Sequence, residues 1–352
     1  MLFRNKLAIV FSSALLLVSF IEARDNPQPK ELSQPTNILS YPKIKLYGFI
    51  YDALFDEAGN LLLMFFRNGL YCVSPSRAYP LARIGQGPGE LNSWRAMCLD
   101  GPTLAVIETT GRILYFQRTG NIYKYDKTEW IRDLPGIFFK SVARVGNKWF
   151  FAGFSYDKNI TMRSKRPSGY FLSIFENGQL KKSLLYRQFS NRRYYPHLIR
   201  TFLRKFGNQL FLIIETEPKI YVVDPDRLEI TKIHELKMPD NYVPIGEETF
   251  VRNRNRPVPQ LYEEWELSYS RIENILINKD YCLLQFRNPS KNRNKFTLLL
   301  LNSKDFSLKN IFYVDDALLA EKDGLYYFLA NGDPGLDEYA DCLIIKAFSL
   351  DK

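Results

Sequence analysis

The chain has 352 residues, enough for one large domain or two ordinary ones. Charged residues make up 24% and aromatic residues 15%, which argues against an intrinsically disordered chain and favours β-strands. The formal net charge is +10, so the composition favours negatively charged partners.

The first 23 residues have the pattern of a secretory signal peptide. Arg4 and Lys6 precede an apolar run at 7–21, which is shorter than the roughly 20 residues of a membrane-spanning helix. Cleavage after Ala23 would release the protein outside the cytoplasm, and an uncleaved segment would anchor it to the membrane. We expect an exported protein, periplasmic or extracellular, with a polar linker at 24–36.

The four cysteines each lie within an apolar stretch, and none belongs to a C-x-x-C pair. Export permits disulfides, but this environment favours buried thiols that pack as small hydrophobic groups. A cysteine metal site is not predicted. The residues are Cys72, Cys98, Cys282 and Cys342.

One pattern recurs six times: a tight polar turn followed at once by an alternating apolar or aromatic run. The spacings between successive turns are 42, 45, 61, 72 and 44 residues. An antiparallel four-stranded blade takes about 40 to 50 residues, so three intervals fit directly and two contain insertions. The sequence therefore predicts an all-β, six-bladed β-propeller at 37–352. The turns are at Gly59, Gly101, Gly146, Gly207, Lys279 and Asp323.

The two ends of the chain complement each other in strand number. The last unit ends after its third strand, while the segment 36–48 precedes the first unit and has no other role. We predict that this N-terminal strand joins the last blade and closes the ring, which removes exposed sheet edges. A pair of β-sandwiches is the alternative, although it gives no reason for six similar units. A short helix is indicated only at 258–272.

The stretch "RIGQGPGEL" connects the outer strand of the first unit to the inner strand of the second. Glycine permits positive φ angles and proline fixes a turn. A phosphate-binding loop would instead need a following helix and a suitably placed lysine, and here a strand follows. We interpret Gly85, Gly87, Pro88, Gly89 and Glu90 as a structural motif.

This G-x-G-P-G-E step, after an export-type N-terminus, resembles bacterial six-bladed β-propeller proteins related to NHL-repeat propellers. Such proteins are common in the envelope of Bacteroidetes-like bacteria, and the blade rhythm extends the resemblance over about residues 37–350. The resemblance implies the fold and an extracytoplasmic location, and it implies little about the ligand. Many such relatives look like lipoproteins, whereas no cysteine follows the N-terminal apolar run here.

The positive charge is concentrated in four stretches that contain no acidic residue, at 158–166, 187–205, 252–256 and 287–295. They hold 17 of the 48 Lys and Arg residues, and the rest of the chain has 31 against 38 Asp and Glu. In an antiparallel blade with strands a to d from the axis outwards, the b–c loops and the crossovers from d to the next a lie on one face. All four stretches map to that face.

These stretches predict a surface that attracts anions by charge, with aromatic side chains giving shape. An anionic glycan, a lipid headgroup or an acidic protein fits an exported address, and nucleic acid fits the charge but not the address. The alternative is that the charges only keep long loops soluble. The predicted binding residues are Arg163, Lys165, Arg166, Arg192, Arg193, Tyr194, Tyr195, Arg252, Arg254, Arg256, Arg287 and Arg293.

Catalytic signals are weak. The two histidines lack a partner motif, and we predict no catalytic or metal-binding residue. The alternative function is a calcium-dependent hydrolase, lactonase or lyase with its site in the axial channel, where Glu90 would be the acid to test. Arg95, Arg200 and Arg204 are predicted near the axis, where they oppose a bare cation and suit an anion.

Overall fold

A computed structural model describes residues 27–32, 34–41, 46–47, 50–65, 69–74, 77–92, 96–134, 136–157, 168–189, 199–244, 268–289, 295–330, 339–340 and 342–350. The regular elements in these ranges are strands. Within the same ranges, no helix has the length and hydropathy needed to cross a membrane. Of the predicted helix, residues 258–267 lie outside the described residues, and residues 271–272 begin a strand.

Three short strands come before the first blade: β1 (Lys30–Glu31), β2 (Asn37–Tyr41) and β3 (Leu46–Tyr47). Blade I consists of β4 (Ile50–Phe55), β5 (Leu61–Phe65), β6 (Gly69–Ser74) and β7 (Arg77–Ala82). Blade II consists of β8 (Ala96–Asp100), β9 (Thr103–Ile107), β10 (Arg112–Thr119) and β11 (Ile122–Trp130). Blade III consists of β12 (Ile137–Val145), β13 (Lys148–Tyr156), β14 (Ser168–Glu176) and β15 (Gln179–Gln188).

Blade IV consists of β16 (Thr201–Phe206), β17 (Gln209–Ile214), β18 (Glu217–Asp224) and β19 (Glu229–Glu235). Blade V consists of β20 (Arg271–Ile277), β21 (Tyr281–Arg287), β22 (Phe296–Asn302) and β23 (Leu308–Val314). Blade VI contains β24 (Ala317–Lys322), β25 (Leu325–Leu329) and β27 (Leu343–Ser349), with β26 (Tyr339–Ala340) between the last two.

The six sheets form a ring around one axis. The inner strands contact each other in cyclic order, from β4 through β8, β12, β16, β20 and β24 back to β4. Within a blade, neighbouring strands pair antiparallel in chain order. The predicted six-bladed β-propeller is confirmed, and the alternative of two β-sandwiches is wrong because each described blade contacts the next one in a closed cycle.

The N-terminal strands pair with the last two blades. Strand β2 is the outer strand of blade VI, antiparallel to β27, with Asn37 opposite Ala347 and Tyr41 opposite Leu343. Strand β1 adds a fifth strand to blade V, parallel to β23. Strand β1 falls inside the segment 24–36 that was predicted as a polar linker. Its pairing with β23 satisfies backbone N–H and C=O groups at the outer edge of blade V, which would otherwise be open.

The hydrophobic core is a series of layers between neighbouring blades. Strand β5 is buried at every position, whereas the outer strand β11 is mostly exposed. Aromatic rings fill the layer between blades II and III, where Phe139 and Phe175 both meet Phe151 edge to face. A strand in the middle of a blade has a neighbouring blade against each face, which is why its sequence is apolar without alternation.

Strand direction defines two faces of the ring. The b–c loops and the d-to-a crossovers lie on one face, which we call the loop face. The a–b and c–d turns lie on the opposite face, the turn face. Inner strands run from the loop face to the turn face, so the first residues of each inner strand lie at the loop-face mouth of the axial channel.

Polar side chains join the inner strands to one another around the axis. Ser141 of blade III exchanges hydrogen bonds with the backbone of Leu203 in blade IV, at 3.0 and 3.2 Å. Asn274 of blade V donates to the carbonyls of Leu318 and Leu319 in blade VI, at 2.9 and 3.2 Å. Both side chains follow β-bulges in their strands, and a bulge redirects a side chain away from the regular alternation.

An arginine crosses the axis between opposite blades. Arg204 of blade IV donates from Nη2 to Asn274 Oδ1 at 2.9 Å and from Nε to the Ile275 carbonyl at 2.9 Å. The same Nη2 lies 4.0 Å from Asp52 Oδ1 of blade I. Burial raises the pKa of Asp52, against the opposite effect of Arg204. The pair lies mid-strand in both blades and brings opposite sides of the ring within 4.0 Å of each other.

We predict that Arg204→Met lowers the free energy of unfolding by about 3 kcal/mol, since it removes the cation that faces a buried carboxylate together with its hydrogen bonds. Urea denaturation measures the difference. Lys205→Met is the matched control, because Lys205 is the exposed neighbour on the same strand and its loss should change stability by less than about 0.5 kcal/mol. Equal free energies of unfolding in the two variants would show that the contact between Arg204 and Asp52 does not stabilise the fold.

Candidate functional site

Most residues of the predicted anion-binding surface lie outside the described residues. Only the ends of their segments are placed by the strands that flank them. The segments join β13 to β14, β15 to β16, β19 to β20 and β21 to β22, and all of these connections belong to the loop face. The residues outside the described ranges are Arg163, Lys165, Arg166, Arg192, Arg193, Tyr194, Tyr195, Arg252, Arg254, Arg256 and Arg293.

Three arginines that the sequence assigned to the basic stretches are partly or fully buried and bound to acidic or amide groups. Arg287 is 5% exposed and its Nε lies 3.0 Å from Glu273 Oε1. Arg200 pairs with two carboxylates, and Arg204 crosses the axis as described above. These three guanidinium groups therefore contribute little to an exposed basic surface, and the sequence count overstates its charge.

Arg200, Arg271 and Arg287 form a buried network with Glu215 and Glu273 at the loop-face mouth between blades IV and V. We call these five residues the ion cluster. Glu273 Oε1 accepts from Arg271 Nε at 2.8 Å and from Arg287 Nε at 3.0 Å, and Oε2 accepts from Arg200 Nη2 at 2.7 Å. Arg200 also donates from its backbone N and its Nε to Glu215, at 2.8 and 2.9 Å.

Burial and charge act in opposite directions on the two carboxylates of the ion cluster. Burial alone would raise the pKa of Glu273, but Arg200, Arg271 and Arg287 together hold it well below its usual range. Burial raises the pKa of Glu215, against the lowering effect of Arg200 and Arg271. Three guanidinium groups thus stabilise Glu273 as a carboxylate in a site where an unpaired charge would be very costly.

The elements explain how the ion cluster forms. Arg200 is the residue before β16, Arg271 is the first residue of β20, and Arg287 is the last of β21. Glu215 follows β17 directly and has no exposed side-chain surface. The side chain of Arg200 is 21% exposed, and each of the other four is 6% exposed or less. Arg200 is therefore the member of the cluster that solvent or a ligand reaches.

The sequence analysis did not find the glutamates of the ion cluster, although the repeat carried a signal for one of them. The second and fourth units both end their second strand on glutamate, at Glu108 and Glu215. Each accepts a backbone N–H of the preceding crossover, from Asn92 and Arg200 respectively, at 2.8 Å. Aligning the units would have marked this position. Glu273 gave no such signal, because it is the extra residue of a β-bulge.

The Gly-rich crossover between blades I and II folds around the carboxylate of Glu90. Glu90 Oε2 accepts the N–H of Gly87 at 2.8 Å, and the Glu90 N–H returns to the Gly87 carbonyl at 3.1 Å. A Cβ on Gly85 would collide with this carboxylate, and one on Gly87 would lie 2.9 Å from Oε2. The first two glycines of the motif are therefore needed so that Glu90 can fold back over the backbone.

The rest of the motif attaches the crossover to blade II. Gly89 has φ +75°, and a Cβ there would lie 3.0 Å from the Cβ of Tyr125. The Glu90 carbonyl accepts from Arg112 Nη2 at 2.8 Å, and Arg112 is itself paired with Glu108. These contacts fix the crossover to blade II, and the interpretation of the stretch as a structural motif stays a prediction.

Among the described residues, no group of three or more His, Cys, Asp or Glu side chains is close enough to hold a metal ion. The acid-rich loop at 331–338 lies outside them, as does His197. His234 packs against the ring of Phe306, where burial lowers its pKa. None of the four cysteines is disulfide-bonded, and Cys72, Cys98 and Cys282 are buried.

No protein-family model matches the chain, and no curated protein is similar to it in sequence. Solved structures share its fold. A protein of Bacteroides fragilis NCTC 9343, described as exported, aligns with a TM-score of 0.57 at 12% identity over 92% of this chain and 94% of that one. The extracellular domain of a one-component system of B. thetaiotaomicron aligns at 0.44 and 9% identity over 84% and 33% of the two chains. The likeness to the B. fragilis protein concerns the fold alone, and the relation to NHL-repeat propellers stays a prediction.

We predict that Gly85→Ala destabilises the protein by about 1 kcal/mol, because the added methyl group displaces Glu90 from the Gly87 N–H. The same change in a Glu90→Ala background should cost little, since the displaced group is already absent. Urea denaturation of the two single variants and the double variant measures the coupling. Gly101→Ala is the control: its φ is +57° with no atom near an added Cβ, so its cost should be equal in both backgrounds.

We predict that Glu273→Gln flattens the acid limb of the stability profile. The folded-state pKa of Glu273 lies below the unfolded value of about 4.3, so its carboxylate stabilises the fold above that pH and this contribution is lost as the pH falls further. Urea denaturation between pH 3 and 5 should show a slope smaller by up to about 1.4 kcal/mol per pH unit. Glu57→Gln, at a side chain 72% exposed, should leave the slope unchanged, and a wild-type slope in Glu273→Gln would contradict the assignment.

Proposed function

We propose that this protein is a non-catalytic binding or scaffolding propeller of the bacterial cell envelope that recognises an anionic ligand or partner on the loop face. One observation carries the proposal: every acid-free basic stretch overlaps a connection of that face. The stretches at 158–166 and 252–256 lie within such connections, and those at 187–205 and 287–295 also extend into the strands that flank theirs. We expect the positive charge of the connecting segments to lie over one side of the ring.

Such a surface attracts anions over a distance of about one Debye length and gains from the release of counterions on contact. The basic residues are interleaved with Tyr194 and Tyr195, which would give the surface shape. Anionic glycans, lipid headgroups and acidic proteins share the chemistry that it recognises. Support for an extracytoplasmic site of action comes from the N-terminal signal pattern and from the description of the B. fragilis structure as an exported protein.

The contacts of four described carboxylates favour binding over metal-assisted hydrolysis as the function. Asp52 faces Arg204, and Glu215 and Glu273 accept from the arginines of the ion cluster. Glu90 accepts from the Gly87 N–H. A calcium site needs several oxygen ligands that converge on the ion, and these oxygens are instead directed at donors of the protein itself.

We predict that replacing Arg192, Arg193, Arg252 and Arg254 with Ser abolishes salt-sensitive retention on a heparin column, because these residues would supply the charge of the loop face. The control replaces Lys124, Lys127, Lys181 and Lys182 with Ser. These lysines lie on the outer strands of blades II and III, and the control changes the net charge by the same amount. Equal loss of retention in both variants would indicate attraction by net charge alone, and unchanged retention of the first variant would refute the proposed surface.

A further inference from the structure

Strand β11 is the outer strand of blade II, and it ends its sheet. Among the described strands, β11 pairs with β10 alone, whereas the outer edge of blade V is extended by β1. We propose that β11 is a dimerisation edge that pairs antiparallel with β11 of a second copy of this chain, about a two-fold axis. The inference goes beyond the proposed function and does not depend on what the loop face binds.

The charges of β11 are complementary to themselves when the strand is reversed. Its central sequence is KYDKTE, at 124–129. A two-fold pairing that places Lys124 of one copy opposite Glu129 of the second copy also places Asp126 opposite Lys127. By symmetry each contact occurs twice, so every charged residue of β11 lies opposite a residue of the other sign. Opposite charges directly across a strand pair stabilise it, and like charges destabilise it.

A β-bulge makes this register geometrically possible. Directly opposite residues of an antiparallel pair point to the same side of the sheet, but residues five positions apart in a regular strand, such as Lys124 and Glu129, point to opposite sides. In β11, Asp126 is an extra residue without a partner on β10. Lys124 therefore lies opposite Gln117 and Glu129 opposite Ile113. These two β10 residues are four positions apart, so both charges are on one side.

The same bulge separates the charged from the aromatic side chains of β11. Glu129 lies on the side of blade III, where it accepts from Tyr115 Oη at 2.8 Å. Tyr125 lies on the side of blade I, where it meets Phe116 edge to face, and Trp130 points to the same side. In the proposed register, charged residues thus meet charged residues on one side of the joined sheet, and the aromatic residues lie on the other.

Strand β11 also carries more exposed apolar side chains than any other described strand. Ile122, Tyr125 and Trp130 are 44, 39 and 60% exposed, and no other described strand has more than two large apolar side chains that are this exposed. An open edge that carries apolar side chains tends to associate with another strand. Trp130 lies opposite Tyr123 of the second copy in the proposed register, so pairing covers part of this surface.

The other described outer strands lack this self-complementarity. Strand β7 contains Pro80, and the charged residues of β15 are all basic. In β19, the antiparallel registers that pair six or more residues do not place Lys232 opposite a glutamate. Strand β2 has no charged residue, and β23 is paired with β1. Among the outer strands that the structure describes, β11 is therefore the one suited to pair with itself.

The proposed pairing determines how two copies face each other. Strand β11 runs from the turn face to the loop face, and antiparallel pairing reverses this direction in the second copy. The two loop faces therefore point in opposite directions, and both stay open. An interface built on one strand pair is smaller than the standard size of about 800 Å² per partner, so we expect a weak dimer, with a Kd on the order of 100 µM.

The test compares two single variants, each alone and the two mixed. Lys124→Glu and Glu129→Lys each bring like charges opposite one another twice, so each variant alone should dimerise about tenfold more weakly than the wild type. Mixing them restores opposite charges at both positions, and a heterodimer of about wild-type affinity should form. Sedimentation velocity at up to about 500 µM measures self-association, and a fluorescent protein fused to the C-terminus of one variant reports the heterodimer.

Lys182→Glu and Glu229→Lys are the matched controls. They make the same charge changes on the outer strands of blades III and IV, and they should leave dimerisation at the wild-type level, alone and mixed. Glu129 has contacts within its own chain, so thermal unfolding checks that each variant is folded. If Glu129→Lys does not fold, Asp126→Lys and Lys127→Asp replace the first pair, because they exchange the two central charges in the same way and both residues are exposed.

A wild type that stays monomeric at all concentrations overturns the inference. Unchanged dimerisation of both single variants also overturns it, and so does a mixture that recovers no association, because either result places the contact elsewhere. These outcomes are distinct from those of the proposed function. Heparin binding can be measured at about 1 µM, far below the expected Kd of the dimer, so it tests the loop face of the monomer.

Discussion

The packing of each blade against its two neighbours is the constraint on which the rest of this structure depends. A four-stranded sheet with both faces covered is apolar on both faces of its two middle strands, and the ring geometry covers every blade in this way. Strand β5 is buried at all of its positions, and β22 is nearly so. Exposed charge is concentrated on outer strands such as β11, whereas charged side chains of the strands at the axis, such as Asp52 and Arg204, lie against other charged or polar groups. The sequence consequently alternates between continuous apolar runs and charged strands, with turns at blade spacing.

This constraint explains which parts of the molecule the sequence predicts. The turns at Gly101 and Gly146 and the apolar runs after them follow directly from blade geometry, and so do the blade count and the face assignment of the connections. Insertions do not disturb the pattern, because they lie in connections and leave the strand spacing within a blade unchanged. The strand pairing of Lys30–Glu31 carried no such signal, since two polar residues that add to a sheet edge have no periodicity.

The candidate site was harder to predict because it depends on contacts between blades. Arg200, Arg204 and Arg287 are basic residues in acid-free stretches, and sequence position alone indicates exposure. The structure buries them because their partners come from elsewhere in the chain: Glu273 for Arg200 and Arg287, and Asp52 and Asn274 for Arg204. The partners of Arg200 and Arg204 lie 70 or more positions away and leave no trace in a local pattern, whereas Glu273 lies 14 positions before Arg287 on the neighbouring strand. The bulge at Glu273 shifts the strand by one residue, which also hides its orientation from any rule of alternation.

The same geometry accounts for the coexistence of long insertions and a tight ring. The entropic cost of closing a loop grows only slowly with loop length. A long insertion is therefore tolerated when its two ends are held at the ends of the strands that it connects. The hydrogen bonds between Val243 and Ser270 hold the ends of the crossover into blade V, and the bond from Asp157 to the Ser168 carbonyl holds the b–c loop of blade III. Sequence inside such a closed base can vary in length and charge without a change in blade packing. Positive charge can therefore accumulate on the loop face, while the buried arginines beneath it are neutralised by carboxylates that belong to the blades.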